Sequence, residues 1–409
     1  MVHVIDVFLE RGFLKQITHE RAVRDIMGVP HASCYVGLDP TADSLHVGSL
    51  LPIMALMHLE RCGNRPICIL GGATALVGDP SGKTEMRKML SRDQIEENAR
   101  KIRAQLSRYL DLDGGDTLLL NNADWLGHLR YIDFLRDIGR HFSVNRMLSA
   151  ESYKLRLQSG LSFIEFNYQL LQAYDFLYLY REHDCRVQMG GDDQWGNIVA
   201  GADLIRRVEG GDAQGLTWPL LQTSSGEKMG KTAQGAIWLD PTRTSPYDFF
   251  QYWINVDDAD VERFLCLFTF LSMEEVKDLC AEGGSALKRA KERLALETTK
   301  ISHGEKAAQE AYGAARALFG EGDASGEGVP SSDCSVAMLD QGWLLLDAMV
   351  ETALVSSKGA ARRLIQGGGA YVNGEKVVDE LRKLTRKDLR DGYILLRSGK
   401  KAYHRLKVL

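Results

Sequence analysis

The stretch that most restricts this chain reads Cys34-Tyr35-Val36-Gly37-Leu38-Asp39-Pro40-Thr41-Ala42-Asp43-Ser44-Leu45-His46-Val47-Gly48-Ser49. An apolar run meets a loop holding Gly37, Asp39 and Pro40. Leu50, Ile53, Met54 and Met57 then recur at helical spacing, so a helix starts near His46. A strand that turns into a helix leaves backbone N–H groups free at the helix start, an end that suits phosphate. Glycine in such a loop lets a nucleotide approach the backbone closely. An ordinary strand-to-helix connection would look the same if the stretch stood alone.

It does not stand alone. Arg65–Leu70 is a second buried run ending in Gly71-Gly72, and Thr117–Leu120 is a third. Cys185–Met189 is a fourth, followed by Gly190-Gly191-Asp192-Asp193-Gln194-Trp195-Gly196-Asn197 and a helix over Ile198–Arg207. Strands alternating with helices predict a parallel sheet covered on both faces. In such sheets ligands sit at the carboxyl ends of the strands, where the strand order reverses. The loops after Tyr35, Leu70 and Met189 are therefore expected at one crevice.

The helices between carry further signals. Val2–Met27, Ser91–Leu110 and Tyr131–Leu148 read as amphipathic helices. Ser162–Leu177 reads as one helix with Tyr168, Gln172 and Asp175 at i, i+4 and i+7, hence on one face. Such a trio meets either water or a ligand. Gly78-Asp79-Pro80-Ser81-Gly82-Lys83 is not a Walker loop, because Gly78 and Gly82 are one residue too close. It reads as a turn presenting Asp79, then a loop presenting Lys83 and Arg87. Glu227-Lys228-Met229-Gly230-Lys231-Thr232 places two lysines around a glycine, an anion clamp or a common surface pattern.

Charge and composition bound the setting. The net charge of −5 conceals +7 over Gln341–Leu409, from 14 Lys+Arg against 7 Asp+Glu. Such a tail meets a polyanion or is a solvated basic surface. Ser245–Ala315 is helical throughout, and Gly320–Ser332, rich in glycine, serine and acid, reads as a linker. In the tail, Ser356 or Ser357 caps a helix bearing Lys358, Arg362 and Arg363, and Asn373-Gly374 marks a hairpin. Seven scattered cysteines without a C-x-x-C pair fit reduced thiols of a cytoplasmic protein. No apolar run reaches the roughly 20 residues of a membrane span.

Together these motifs resemble a known family. His46-Val47-Gly48-Ser49 is similar to the HIGH signature of class I aminoacyl-tRNA synthetases, and Lys228–Thr232 to their KMSKS signature. Tyr35, Gly78–Lys83, the Tyr168/Gln172/Asp175 face and Asp193–Asn197 resemble the pocket of bacterial-type tyrosyl-tRNA synthetases. The tail resembles the S4-type RNA-binding module carried by that family. Ser49 departs from a usual second histidine, and Gly230 from the general serine. The resemblance implies an α/β, Rossmann-like, doubly wound catalytic domain over 1–232, with a helical dimerisation insertion around 125–185. A helical anticodon-region domain over 233–319, a linker over 320–340 and a small α+β S4-like domain over 341–409 would follow.

The same resemblance implies tyrosine activation by ATP and transfer to tRNA(Tyr), by a homodimer. Thr41, His46, Lys83, Arg87, Lys228, Lys231 and Thr232 would act on the phosphates. Gly37, Asp39, Gly48, Ser49, Gly191, Asp193 and Lys231 would hold ATP. Asp79, Tyr168, Gln172 and Gln194 would take the amino acid's backbone groups, with Tyr35 and Asp175 at its phenol. Lys358, Arg362 and Arg363 would meet tRNA. Magnesium would arrive on ATP, without a protein metal cage. Two other readings are a nucleotidyltransferase acting on a small metabolite without RNA, and a non-catalytic RNA-binding protein on a synthetase scaffold.

Overall fold

The computed structural model describes residues 2–81, 90–150, 153–154, 156–157, 160–224, 226, 229–232, 235–281, 285–319, 329–390, 392–399 and 402–408. Lys83, Arg87, Lys228 and residues 320–328 of the expected linker lie outside them. The chain forms two compact units, Met1–Asp240 with Asp257–Ala290, and Pro241–Val256 with Lys291–Leu409.

The first unit is built on six strands: β1 (Gln16–Ile17), β2 (Ser33–Leu38), β3 (Arg65–Leu70), β4 (Leu118–Asn121), β5 (Cys185–Gly191) and β6 (Gln214–Trp218). Their order is β1-β6-β5-β2-β3-β4. Strands β2 to β6 are parallel, and β1 lies antiparallel at the edge beside β6. Cys34, Tyr35, Val36, Ile67, Cys68 and Ile69 are buried, as the near-continuous apolar runs require of a sheet covered on both faces. The chain winds outward through β3 and β4, then crosses back to place β5 on the other side of β2. The reversal therefore falls between β2 and β5, where Tyr35 stands opposite Gln188.

Three expected helices are broken. Val2–Met27 is two helices, Val4–Arg11 and Glu20–Met27, with β1 between them. Gly12, at φ 80°, ends the first in the left-handed conformation glycine adopts freely. Gln16 and Ile17 then take up the hydrogen bonds that β6 offers at the sheet edge. Tyr131–Leu148 resolves into Tyr131–Asp137, a 3-10 turn at Gly139–His141, and Val144–Leu148. Ser162–Leu177 breaks at Asn167 into Phe163–Phe166 and the longer helix Tyr168–His183.

In the second unit, Phe250 meets Tyr312 and Phe249 meets His303, with ring centroids 6.1 Å and 4.8 Å apart. Its last part is a five-stranded sheet in the order Glu375–Lys376, Ala370–Val372, Tyr393–Ser398, Ala402–Val408, Ser331–Cys334. Ile394, Leu396 and Leu406 from this sheet form a core with Leu345, Met349 and Ile365. Asn373 and Gly374 both have positive φ, 49° and 84°, as the two central residues of the expected hairpin turn must. Ser357 caps the helix Lys358–Gln366, accepting the Ala360 N–H at 3.2 Å. Ser331 and Ser332, which read as linker, begin a strand parallel to Arg405–Val408.

One buried group makes the first unit sensitive to acid. His58 lies between the rings of Phe13 and Phe270, 5.6 Å and 5.0 Å away. Burial, with Arg11 and Arg61 nearby, pushes its imidazole from 6.5 down to about 3. The unfolded chain thus takes up a proton between those values that the folded chain refuses, and stability falls as pH falls through that window. Denaturant midpoints measured from neutral pH downward should decline less steeply in His58→Phe than in the wild type, by up to one proton. Identical slopes would place His58 in contact with solvent.

Candidate active site

At the carboxyl ends of β2 and β5 lies a cavity of about 420 Å³. It is lined by Tyr35, Gly37, Asp39, Thr41, His46, Ser49, Asp79, Tyr168, Gln172, Asp175, Gly191, Asp193 and Gln194. These residues come from four separate stretches of sequence, and the sheet reversal brings them together. Gly48 lies beside this group, against His46, and helps line an adjoining hollow with Trp218 and Met229.

The floor of the cavity is the helix Tyr168–His183 against β2. Asp175 is 4% exposed and Tyr35 2%. No cation neutralises Asp175 among the described hydrogen bonds. Asn122 Nδ2 donates to one of its oxygens at 3.0 Å and Trp125 Nε1 to the other at 2.7 Å. Burial nonetheless pushes the carboxyl from 3.8 up to about 7, against the lowering effect of those two donors, and Asp39 adds repulsion. Burial, then Asp175, pushes the Tyr35 phenol well above its ordinary range. The Tyr35 hydroxyl and Gln188 Oε1 are buried without a hydrogen-bond partner among the described residues, and both residues line this cavity. Buried polar atoms in that condition are rare.

A second polar cluster forms the wall. Asp79 accepts the Ser81 N–H at 2.9 Å and Gln194 Nε2 at 2.7 Å. Asn197 Nδ2 reaches Gln172 Oε1 at 3.0 Å and Gln194 Oε1 at 3.2 Å. Asn197 thus holds two of the expected amino-acid contacts in place from behind. The neighbouring aspartates of the Asp192-Asp193 pair diverge. Asp192 accepts from Gln16 Nε2 at 2.6 Å and Thr217 Oγ1 at 2.9 Å, tying β1 to β6, while Asp193 lines the cavity.

The mouth is formed by two loops that the sequence separates by about 180 residues. His46 Nδ1 accepts the Gly48 N–H at 2.9 Å, and Ser49 Oγ faces the His46 N–H at 3.5 Å. Val47 N–H donates to Ile237 O at 2.9 Å, Ile237 N–H to Gly230 O at 3.0 Å, and Leu239 N–H to Leu45 O at 2.8 Å. Gly230 has φ 80°, and a Cβ there would stand 3.3 Å from the Gly48 nitrogen. A Cβ on Gly48 would lie 2.7 Å from the His46 ring. Lys231 and Thr232 form a short strand against Gly235–Ala236.

The sequence reading missed Asn122, Trp125, Thr74 and Gln188, and gave Asn197 no role. Asn122 and Trp125 follow β4 directly, so the rule that ligands gather at the carboxyl ends of strands reaches them. Thr74 donates to Asp39 at 3.4 Å and accepts from Asn122 at 3.0 Å, linking the loops after β2, β3 and β4. Lys358, Arg362 and Arg363 lie in the second unit, on the helix Lys358–Gln366. There Lys358 pairs with Asp347 at 2.6 Å and Arg362 with Glu380 at 3.9 Å.

Known proteins match this chain along its length. A family model for tRNA synthetases class I (W and Y) covers residues 29–320. A second, for a tyrosine–tRNA ligase SYY-like C-terminal domain, covers 323–406. A tyrosine–tRNA ligase from Desulfosudis oleivorans is 54% identical, over 99% of both chains. One from Clostridium kluyveri is 52% identical, again over 99% of both. A C-terminally truncated mitochondrial tyrosyl-tRNA synthetase from Aspergillus nidulans superposes with a TM-score of 0.70 at 30% identity, covering 78% of this chain and 95% of that one. The chain belongs to the tyrosine–tRNA ligase family of class I aminoacyl-tRNA synthetases.

Proposed function

We propose that the chain activates L-tyrosine with ATP, releasing pyrophosphate, and then transfers the tyrosyl group to the terminal adenosine of tRNA(Tyr). The observation that carries this reading is the cavity floor, where the unpartnered Tyr35 hydroxyl and the Asp175 carboxylate are buried together. A phenol hydroxyl is both donor and acceptor, so it can give its proton to Asp175 and accept that of Tyr35. Asp79, Tyr168, Gln172 and Gln194 would take the ammonium and orient the amino acid. The relatives match the full chain, including its C-terminal part, and favour neither a small-metabolite nucleotidyltransferase nor a non-catalytic RNA-binding protein.

The substrate carboxylate attacks the α-phosphate, so the enzyme needs no covalent nucleophile. Its residues act by positioning and by stabilising the charge that builds on the leaving pyrophosphate. Thr41 and His46 would meet the phosphates at the cavity mouth. Lys83, Arg87, Lys228, Lys231 and Thr232 would act on the same phosphates. Gly37, Asp39, Gly48, Ser49, Gly191 and Asp193 would receive ribose and adenine. A Cβ on Gly37 would meet nothing within 4 Å, so its backbone lies open to a ligand. ATP would enter as its magnesium complex. Seven unpaired cysteines support a reducing, cytoplasmic setting.

Two partners complete the proposal. The basic helix with Lys358, Arg362 and Arg363 would meet tRNA. Tyr131, Ile132, Val144 and Phe163 are 59%, 71%, 56% and 71% exposed, an apolar group that supports a homodimer through the segment around 125–185.

Three measurements test these assignments. Tyr35→Phe should lower kcat/KM for tyrosine by about 0.5–1.5 kcal/mol, one neutral hydrogen bond, and leave phenylalanine activation unchanged. An equal fall for both amino acids would make Tyr35 a packing residue. Reversing charge at Lys358, Arg362 and Arg363 together should leave tyrosine-dependent pyrophosphate exchange intact while tRNA charging drops and becomes less salt-sensitive; unchanged charging moves the RNA surface elsewhere. Light scattering at micromolar concentration should give twice the chain mass, and Ile132→Glu should halve it.

A further inference from the structure

The helix that carries Tyr168, Gln172 and Asp175 starts abruptly. Asn167, its N-cap residue, has φ −79° and ψ −9° and makes no side-chain capping bond. The first-turn N–H groups of a helix have no partner within the helix, so something else must accept from them. Tyr153 does so from another segment. Its hydroxyl accepts the Gln169 N–H at 3.3 Å and donates to Phe166 O at 3.0 Å. One hydroxyl thereby spans the break at Asn167, bonded to the last residue of one helix and the second of the next.

The hydroxyl is fixed from behind. Tyr153 is 1% exposed, and its ring lies 5.5 Å from that of Phe166. Arg156 and Glu165, each 3% exposed at the side chain, pair at 3.0 Å. Arg156 also donates to Gly160 O at 3.1 Å, and Glu165 accepts from the Ser162 N–H at 3.1 Å and hydroxyl at 2.8 Å. A buried, multiply bonded pair of this kind holds its backbone in one arrangement. Gln169 in turn donates to Gly196 O at 3.2 Å, in the first turn of the helix Trp195–Glu209, which bears Asn197 and follows Gln194.

We propose that Tyr153 is a positioning residue for recognition of the substrate's ammonium group, acting through the first turn of the helix that bears Tyr168. Tyr168 immediately precedes the residue whose N–H Tyr153 accepts. Losing that bond would let the first turn fray and move Tyr168, while Asp175, two turns further on, stays anchored by Asn122 and Trp125. Gln172 has its own support from Asn197. The effect is therefore confined to the ammonium end and spares the phenol end. This rests on the proposed assignment of Asp79, Tyr168 and Gln172 to the ammonium.

The test uses inhibition of tyrosine-dependent pyrophosphate exchange by compounds carrying one end of the substrate at a time. Tyramine has the phenol and the ammonium; 3-(4-hydroxyphenyl)propanoate has the phenol and the carboxylate; 4-methylphenol has the phenol alone. Tyr153→Phe keeps the ring and removes only the hydroxyl. It should raise KM for tyrosine and Ki for tyramine roughly 3- to 10-fold, the size of one neutral hydrogen bond. Ki for the propanoate and KM for ATP should not move. Glu165→Gln should shift the same constants in the same direction. Equal weakening of tyramine and the propanoate, or a parallel rise in KM for ATP, would reduce Tyr153 to a folding contact. If wild-type enzyme binds tyramine no better than 4-methylphenol, the ammonium assignment itself is wrong. If wild type discriminates and Tyr153→Phe matches it, the positioning role alone fails.

Discussion

A buried carboxylate with no counter-ion among the described residues is the constraint around which this site is arranged. Taking such a charge from water costs several kcal/mol even after relaxation. The donors from Asn122 and Trp125 each return about 1.5–3 kcal/mol, as bonds to a charged group do. They do not fully offset the loss, which is why Asp175 is pushed up to about 7. The same donors tie the cavity floor to the loop after β4. Asn122 accepts the Ala73 N–H at 2.8 Å and donates to Thr74, and Thr74 reaches Asp39. Three strand ends are thus joined through one polar network. On the proposed reading a phenol would add its hydroxyl to this network, whereas a bare phenyl ring would leave the Tyr35 hydroxyl unpaired, which is how such a pocket discriminates.

What the sequence revealed follows from which physics is local. The buried strands were legible because a sheet covered on both faces needs unbroken apolar runs, and Cys34–Val36 and Ile67–Ile69 are such runs. The face shared by Tyr168, Gln172 and Asp175 was legible because helical spacing is arithmetic. The break at Asn167 was not, since Ser162–Leu177 keeps its apolar character throughout and the interruption is stabilised by Tyr153, distant in sequence. A two-residue strand such as Gln16–Ile17 has no period to detect. Ser331–Cys334 reads as linker because its composition is polar, yet it becomes a strand because Arg405–Val408 offers an open edge. Asn122 and Trp125 escaped for another reason: their chemistry appears only when β4 is known to lie two strands from Tyr35.

The two departures from the general signatures have structural counterparts at the cavity mouth. Gly230 sits at φ 80°, where a side chain is strained, and its α-carbon faces the Gly48 nitrogen. Serine there would meet both obstacles, so glycine is what permits the loop that precedes Lys231 to rest on the loop of His46. Ser49 contributes its hydroxyl to the short turn after His46, opposite the bond from Gly48 to the imidazole. The histidine ring is consequently held by its own backbone neighbours and by Trp238, whose ring stands edge-on at 6.4 Å. Its orientation is set before any nucleotide arrives, which is the preorganisation that electrostatic catalysis requires.

Charge decides how such a site can handle two unlike substrates. The described residues lining the cavity include Asp39, Asp79, Asp175 and Asp193 but no lysine or arginine. That field favours an ammonium and opposes a triphosphate. On the proposed reading tyrosine would be held by the walls alone, whereas ATP would depend on magnesium and on cations brought from outside the cavity. On the same reading those cations would be Lys83, Arg87, Lys228 and Lys231, which belong to two separate stretches of the sequence. A fixed cluster of four cations in the same place would neutralise the carboxylates that hold the ammonium. On that reading, placing the positive charge on separate segments would let it act where and when negative charge grows on the departing pyrophosphate, and the lysines would strengthen the transition state more than either ground state.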